Sequence, residues 1–166
     1  MTKALPEKNA LLYLPLGGAG EIGMNCYLYG YGGKWLMVDL GVTFGGEENP
    51  GADLIVPDIS FIAARRRDLV GIVLTHAHED HLGAVPHLWK MLGGPVYGTP
   101  FALALLRRKL IEAELENRVK LVAVPPGGGL TVAPFTIDYI PVAHSIPETH
   151  VLAIRTAAGN VVHATD

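Results

Sequence analysis

The feature that most constrains this chain is a near-continuous apolar run, Val70 to Leu74, that passes without a spacer into Thr75-His76-Ala77-His78-Glu79-Asp80-His81. Apolar side chains at consecutive positions mark a strand buried on both faces. Such a strand belongs inside a sheet that carries further layers above and below. The polar heptapeptide at its end then lies at the rim of the sheet, where loops gather functional groups.

The surrounding pattern agrees. Short runs rich in Tyr, Val and Leu (Leu11 to Leu16, Asn25 to Tyr29, Trp35 to Leu40) read as strands, with Tyr31-Gly32-Gly33 as a hairpin turn. Gly41 to Ala52 reads as a loop, and a helix is predicted after Pro57-Asp58, with Ile59, Phe61, Ile62 and Leu69 as its apolar side. Further helices are predicted over Leu82 to Leu92 and Pro100 to Glu116, the latter with Leu103, Leu105, Leu106, Leu110 and Ile111 inward. Between and after them, Pro95 to Tyr97, Val119 to Val124, Leu130 to Val132, Phe135 to Val142, Val151 to Arg155 and Val161 to Val162 read as strands. The fold class is therefore α/β, an α+β sandwich with mixed sheets, in one domain over residues 1–166.

Composition narrows the function classes. With 49% hydrophobic and 17% charged residues, the chain is neither disordered nor low-complexity. Thirteen Lys and Arg against 16 Asp and Glu leave a net charge of −3, without the basic footprint of a nucleic-acid-binding module. The Arg65-Arg66-Arg67 and Arg107-Arg108-Lys109 runs read as solvated helix faces. No apolar run reaches the roughly 18 residues that span a bilayer, and no secretory signal is visible. Cys26 has no cysteine to pair with, which fits a reducing compartment. A cytoplasmic location without membrane attachment is expected.

Three histidines and an aspartate within the six residues from His76 to His81 carry the chemistry. In an extended stretch residues two apart point the same way, so His76 and His78 can reach one cation together. Asp80 and His81 lie where the chain enters a helix and project to an adjacent point, close enough for a second. Imidazole and carboxylate suit zinc, with manganese or iron less selectively. A helix N-terminus at the same place favours an anion.

His76-x-His78-x-Asp80-His81 is the signature of the metallo-β-lactamase superfamily. Gly17-Gly18-Ala19-Gly20-Glu21-Ile22-Gly23-Met24-Asn25 resembles the glycine-rich opening of the ribonuclease J family within it, RNA-degrading enzymes that carry an inserted β-CASP domain. Val38-Asp39-Leu40-Gly41, His144-Ser145-Ile146-Pro147 and His163-Ala164-Thr165-Asp166 extend the resemblance over nearly the whole chain, in order.

The resemblance implies a metallo-β-lactamase-like αββα fold and a site built on two divalent cations, Zn2+ first, with Mn2+ or Mg2+ as alternatives. His76, His78 and His144 match ligands of the first cation, and Asp80 and His81 those of the second. Asp166 matches the carboxylate that bridges both and, with Asp80, holds the cation-bound hydroxide. Asp39 matches a carboxylate that orients the metal loop without binding metal. Ser145 is a candidate substrate contact, or simply a turn serine. His87, His150 and His163 match no ligand and read as structural or surface residues. Glu21 is expected to make a local hydrogen bond.

The implied activity is hydrolysis of RNA phosphodiesters, 5′-to-3′ exonucleolytic with endonuclease capacity in some members, in RNA processing and decay. RNA is the implied substrate, and the parent protein is expected to be a homo-oligomer. Family members are several times longer. The chain therefore corresponds to the N-terminal portion of a metallo-β-lactamase domain. The β-CASP insertion and a further histidine for the second cation belong to the remainder of the parent. The isolated chain is expected to be inactive or nearly so. A small-molecule thioesterase or lactonase of the same superfamily is the alternative, together with a non-catalytic fragment.

Overall fold

A computed structural model describes residues 9–46 and 49–166. Five strands open the chain: β1 (Leu12–Gly17), β2 (Cys26–Tyr31), β3 (Lys34–Val38), β4 (Thr43–Phe44) and β5 (Leu54–Ile55). A short helix α1 (Ser60–Ala63) leads to β6 (Leu69–Val73), then α2 (Glu79–Leu82), α3 (Val85–Leu92), β7 (Val96–Gly98), α4 (Pro100–Glu112) and β8 (Leu121–Ala123). Four strands follow: β9 (Gly129–Val132), β10 (Phe135–Pro141), β11 (His150–Thr156) and β12 (Gly159–His163).

The first sheet has the order β1-β2-β3-β6-β7-β8. Its first three strands are antiparallel, and β2 and β3 are joined through Gly32-Gly33. From β3 onward the pairing is parallel. Parallel neighbours require crossovers, and the helices supply them on one face of the sheet. There Ile62, Leu82, Val85, Leu88, Leu106 and Leu110 pack with Leu28, Met37, Ile72 and Leu74. On the opposite face Leu36, Val38 and Val73 meet Phe135, Ile137, Tyr139, Leu152 and Ile154 of an antiparallel sheet ordered β12-β11-β10-β9. The run around β6 serves both cores by alternation: Ile72 and Leu74 face the helices, and Val73 faces the second sheet. At about 1.5–3 kcal/mol per fully buried aliphatic side chain, this double burial fixes the strand that carries the histidine cluster.

Mixed sheets packed with few helices match the expected class. Among the described residues the layers are three, αββ. No helix covers the outer face of the second sheet, where Thr136, Arg155 and Val162 are exposed and Arg155 pairs with Asp138.

Several boundaries differ from the sequence pattern, for identifiable reasons. The helix expected after Pro57-Asp58 stops at Ala63. Beyond it three adjacent arginines turn, and Asp68 is held toward β3 by Trp35 N–H to its carbonyl and by an ion pair with Lys34. The expected helix from Leu82 to Leu92 starts earlier, at Glu79, and breaks at Gly83-Ala84. Pro86 lacks the amide proton needed to continue it, and outside amides take the carbonyls of Asp80 and His81. Helix α4 ends at Glu112, just before Glu114 adopts a positive φ of 56°. Ile111, expected inward, is exposed. The stretch read as one loop from Gly41 to Ala52 contains β4, which pairs with β5. No helix among the described residues is long and apolar enough to cross a membrane.

Candidate metal centre

The metal loop leaves β6 at the rim between the two sheets, and three backbone amides hold its helical turn. Asn25 N donates to Asp80 O at 2.8 Å, Leu40 N to His81 O at 2.8 Å and Val42 N to Glu79 O at 3.1 Å. Gly41 lies so close to this turn that a Cβ there would run into the Asp80 carbonyl. A glycine is required because two backbones touch.

Beneath the loop sits Asp39, fully buried, with a left-handed φ of 59°. Its Oδ1 accepts Thr75 N at 2.8 Å, and its Oδ2 accepts Thr75 Oγ1 at 2.8 Å and His81 Nδ1 at 2.7 Å. Burial alone would raise the Asp39 pKa, but the His81 charge and hydrogen bond, with His163 and the Thr75 amide, hold it below the ordinary aspartate value. Burial works against a charged His81 as well. Asp39, with help from Asp80 and Asp166, overcomes it and lifts the imidazole to about 9.

Thr75 fixes a second tautomer. Its hydroxyl proton goes to Asp39, so the 3.0 Å contact between Thr75 Oγ1 and His76 Nδ1 needs the proton on the imidazole. That leaves a bare lone pair on His76 Nε2. Burial, aided by the neighbouring His81, holds His76 down to about 4, so this ring is neutral and ready to ligate at pH 7.

Two donor groups result. In the first, one ligand atom each from His76, His78, His144 and Asp166 lie within 4.8 Å of one another. His76 Nε2 is 3.1 Å and His144 Nε2 is 3.2 Å from His78 Nδ1. His144 arrives from the exposed loop after β10. The second group is Asp80, His81 and Asp166. Here His81 Nε2 lies 3.5 Å from Asp80 Oδ2 and 3.4 Å from Asp166 Oδ2. Asp166 belongs to both. The donor set fits divalent cations: three imidazole nitrogens converge on one point beside a carboxylate, an arrangement of lone pairs that a cation satisfies directly.

Residues 19–166 match the family described as Metallo-beta-lactamase superfamily. The chain belongs to this superfamily. It is also a homologue of ribonuclease J. It is 47% identical over 166 residues to a ribonuclease J of Sinorhizobium meliloti, covering 98% of this chain and 29% of the relative. It is 38% identical over 163 residues to one of Helicobacter pylori, covering 98% of this chain and 24% of the relative. The chain thus spans less than a third of the length of these relatives. Among solved structures, the metallo-beta-lactamase fold protein YhfI from Bacillus subtilis aligns with a TM-score of 0.66 at 23% identity, over 90% of this chain and 59% of that one. That likeness supports the fold.

Within the metallo-β-lactamase frame, the glycine-rich loop after β1 walls a cavity of about 360 Å³ over the second donor group. Glu21 Oε1 accepts Gly18 N at 3.1 Å, the local hydrogen bond expected of it. Gly18 has a φ of 79°, and a Cβ on it would strike the Asn25 and Tyr27 side chains. Sequence reasoning gave no role to those two residues or to Thr75. Asn25 Nδ2 lies 3.2 Å from Asp80 Oδ2 and 3.0 Å from His81 Nε2, and Tyr27 OH donates to Asn25 Oδ1 at 2.9 Å. The only sequence signal for Asn25 was its place at the end of the glycine-rich motif.

Ser145 is exposed, and no hydrogen bond joins it to either donor group. His87 is exposed. His150 is buried, its ring between the Glu148 carbonyl at 2.8 Å and the Gly127 amide at 3.3 Å. His163 is buried against Tyr29.

Proposed function

We propose that this chain carries the metal centre of a ribonuclease J-type nuclease that hydrolyses RNA phosphodiesters, 5′ to 3′, with endonuclease capacity. The observation that carries the reading is the pair of donor groups sharing Asp166. The identity to ribonuclease J over 98% of the chain supports RNA as the substrate. His76, His78 and His144 would hold one divalent cation, Asp80 and His81 a second, with Asp166 common to both. Zinc fits this donor set, and manganese or magnesium are the alternatives. Bound there, such cations supply Lewis-acid polarisation of the phosphate and activation of water at neutral pH.

The chain's own residues prepare the site. Asp39 fixes the His81 Nδ1 proton and so turns Nε2 toward Asp80 and Asp166. Thr75 does the same for His76. Oriented carboxylate and hydroxyl partners of this kind raise ligand basicity and hold ring geometry. The cavity behind the Gly17 to Gly23 loop leaves room for a phosphate beside Asp80 and His81. Ser145, exposed beside the donor residue His144, is a candidate substrate contact.

The share of the relatives that the chain covers favours a second reading for the chain by itself. On that reading it is the N-terminal part of the catalytic domain, holds cations, and turns over little or no RNA. The remainder of a cytoplasmic, homo-oligomeric parent would complete the second cation site and the RNA channel. The test is an assay on 5′-monophosphorylated single-stranded RNA with this chain and with the longer parent. Cleavage by the parent, lost in His76→Ala, is expected, with none from the chain alone. Cleavage by the chain that His76→Ala abolishes would overturn the inactive reading. A parent that hydrolyses a thioester or lactone and leaves RNA intact would overturn the nuclease reading.

A further inference from the structure

Both donor groups depend on Asp166, yet it lies beyond the last strand with its side chain 47% exposed. Its carboxylate lies 3.4 Å from His81 Nε2, among the donor atoms of both groups. Two contacts act on the chain just ahead of it. His163, the last residue of β12, is buried, with Nδ1 2.9 Å from the Tyr29 hydroxyl on β2. Its ring also stands edge-on to Tyr27, with centroids 4.9 Å apart. Thr165 Oγ1 lies 3.3 Å from Thr75 Oγ1. Because the Thr75 proton is committed to Asp39, Thr165 is placed to donate to the Thr75 oxygen, which also faces His76 Nδ1 at 3.0 Å and His81 Nδ1 at 3.4 Å.

Both contacts cross from the second sheet to the first, on either side of Ala164. Both are polar pairs, the first buried and the second part-buried. Satisfied buried polar pairs specify one geometry more sharply than apolar contacts do. We propose that the Tyr29–His163 and Thr75–Thr165 hydrogen bonds position Asp166, carrying the chain from β12 onto the metal loop and setting the reach of its carboxylate. Thr75 thereby links three parts of the site: Asp39, His76 and the segment that bears Asp166. The inference rests on reading Asp166 as the shared ligand.

The two donor groups differ in how far they rely on Asp166. The first keeps three imidazoles without it, and the second keeps only Asp80 and His81. Misplacing Asp166 must therefore weaken the second cation selectively, and general loss of structure would weaken both. The experiment titrates the 166-residue chain with Zn2+ against a competing chelator, and with Co2+ followed by its visible absorption. Variants are Tyr29→Phe, Thr165→Val, Thr165→Ser and Asp166→Asn.

Tyr29→Phe and Thr165→Val are expected to weaken the second equivalent about tenfold and the first, which keeps three imidazoles, much less. Thr165→Ser, which keeps the hydroxyl, should bind like the unmodified chain. Wild-type affinities for both cations in Tyr29→Phe and Thr165→Val, with the second lost in Asp166→Asn, would overturn the positioning role and leave the ligand reading standing. Equal weakening of both cations, with a lowered melting temperature, would also overturn it. An Asp166→Asn variant that binds both cations normally would remove the ligand reading and this inference together. Should Tyr29→Phe fail to fold, the part-buried Thr165 pair of variants decides.

Discussion

At the scale of single residues, the site is governed by two histidines that the same environment drives apart. His76 is pushed down to about 4 by burial, with His81 adding to the effect. His81 is lifted to about 9 against its burial, chiefly by Asp39. An unfolded histidine titrates near 6.5. Below that value the unfolded chain protonates His76 and the folded chain does not, so stability falls as pH drops from 6.5 toward 4. His81 works in the other sense: its stabilising contribution is complete below 6.5 and is lost as pH rises through about 9. Asp39, held below its ordinary value, contributes fully above that ordinary value and loses its contribution as pH falls from there through the lowered one. With a chelator present, the urea midpoint should therefore peak near pH 6.5 and decline on both sides. Asp39→Asn should lower the peak and flatten the alkaline decline, since His81 then has no buried carboxylate to hold its proton. A wild-type midpoint that climbs steadily from pH 6.5 to 9 would contradict this assignment. The convergence of His76 with His78 was legible from alternation in an extended segment. The contrast between His76 and His81 was not, because it depends on Asp39, which is 42 positions from His81 in sequence and 2.7 Å away in the fold.

At the scale of elements, the decisive unit is the turn from Glu79 to Leu82, short for a helix yet fixed in place. Three amides, Asn25 just before β2 and Leu40 and Val42 in the β3–β4 connection, occupy its carbonyls, and Gly41 lets the two backbones touch. Gly41→Ala should destabilise the protein by about 1–3 kcal/mol, the range for forcing atoms into a packed site. Since the clash falls on Asp80, it should also weaken cation binding at the second donor group. Urea unfolding and cation titration of the variant check both. Unchanged stability and affinity would mean that the loop is not held as described. The longer strands were readable, because apolar patterning is local. Helix ends were less so. α2 is set by hydrogen bonds to distant segments, as Leu40 N to His81 O shows, and the turn after α1 is tied to β3 by Trp35 N to Asp68 O; no local pattern reports those partners. The β4–β5 pair was hidden for a related reason: two-residue strands leave too short a run to alternate. The three layers follow from β6, whose apolar residues face two different cores.

At the scale of the whole molecule, the candidate metal centre draws its donors from segments that follow both sheets. His76 and His78 follow β6 of the first sheet, His144 comes from the β10–β11 connection of the second, and Asp166 follows β12. A cation held by these groups cross-links segments that are otherwise joined mainly by the apolar core between the sheets. Anything that binds the folded state alone stabilises it, by about 2.7 kcal/mol at a hundred times its dissociation constant. Adding Zn2+ to chelated protein should therefore raise the unfolding midpoint progressively with concentration, and excess chelator should reverse the gain. His144 separates this linkage from ordinary packing. Its side chain is exposed, so His144→Ala should leave chelated stability within about 0.5 kcal/mol of wild type, as surface substitutions do. It should nonetheless remove most of the response to the first equivalent of Zn2+, because the link from the first sheet to the β10–β11 connection is cut. Urea unfolding of both proteins across a Zn2+ series makes the comparison. A His144→Ala curve that rises with Zn2+ as the wild type does would show that the second sheet contributes no ligand through His144. The first donor group would then reduce to the metal loop and Asp166.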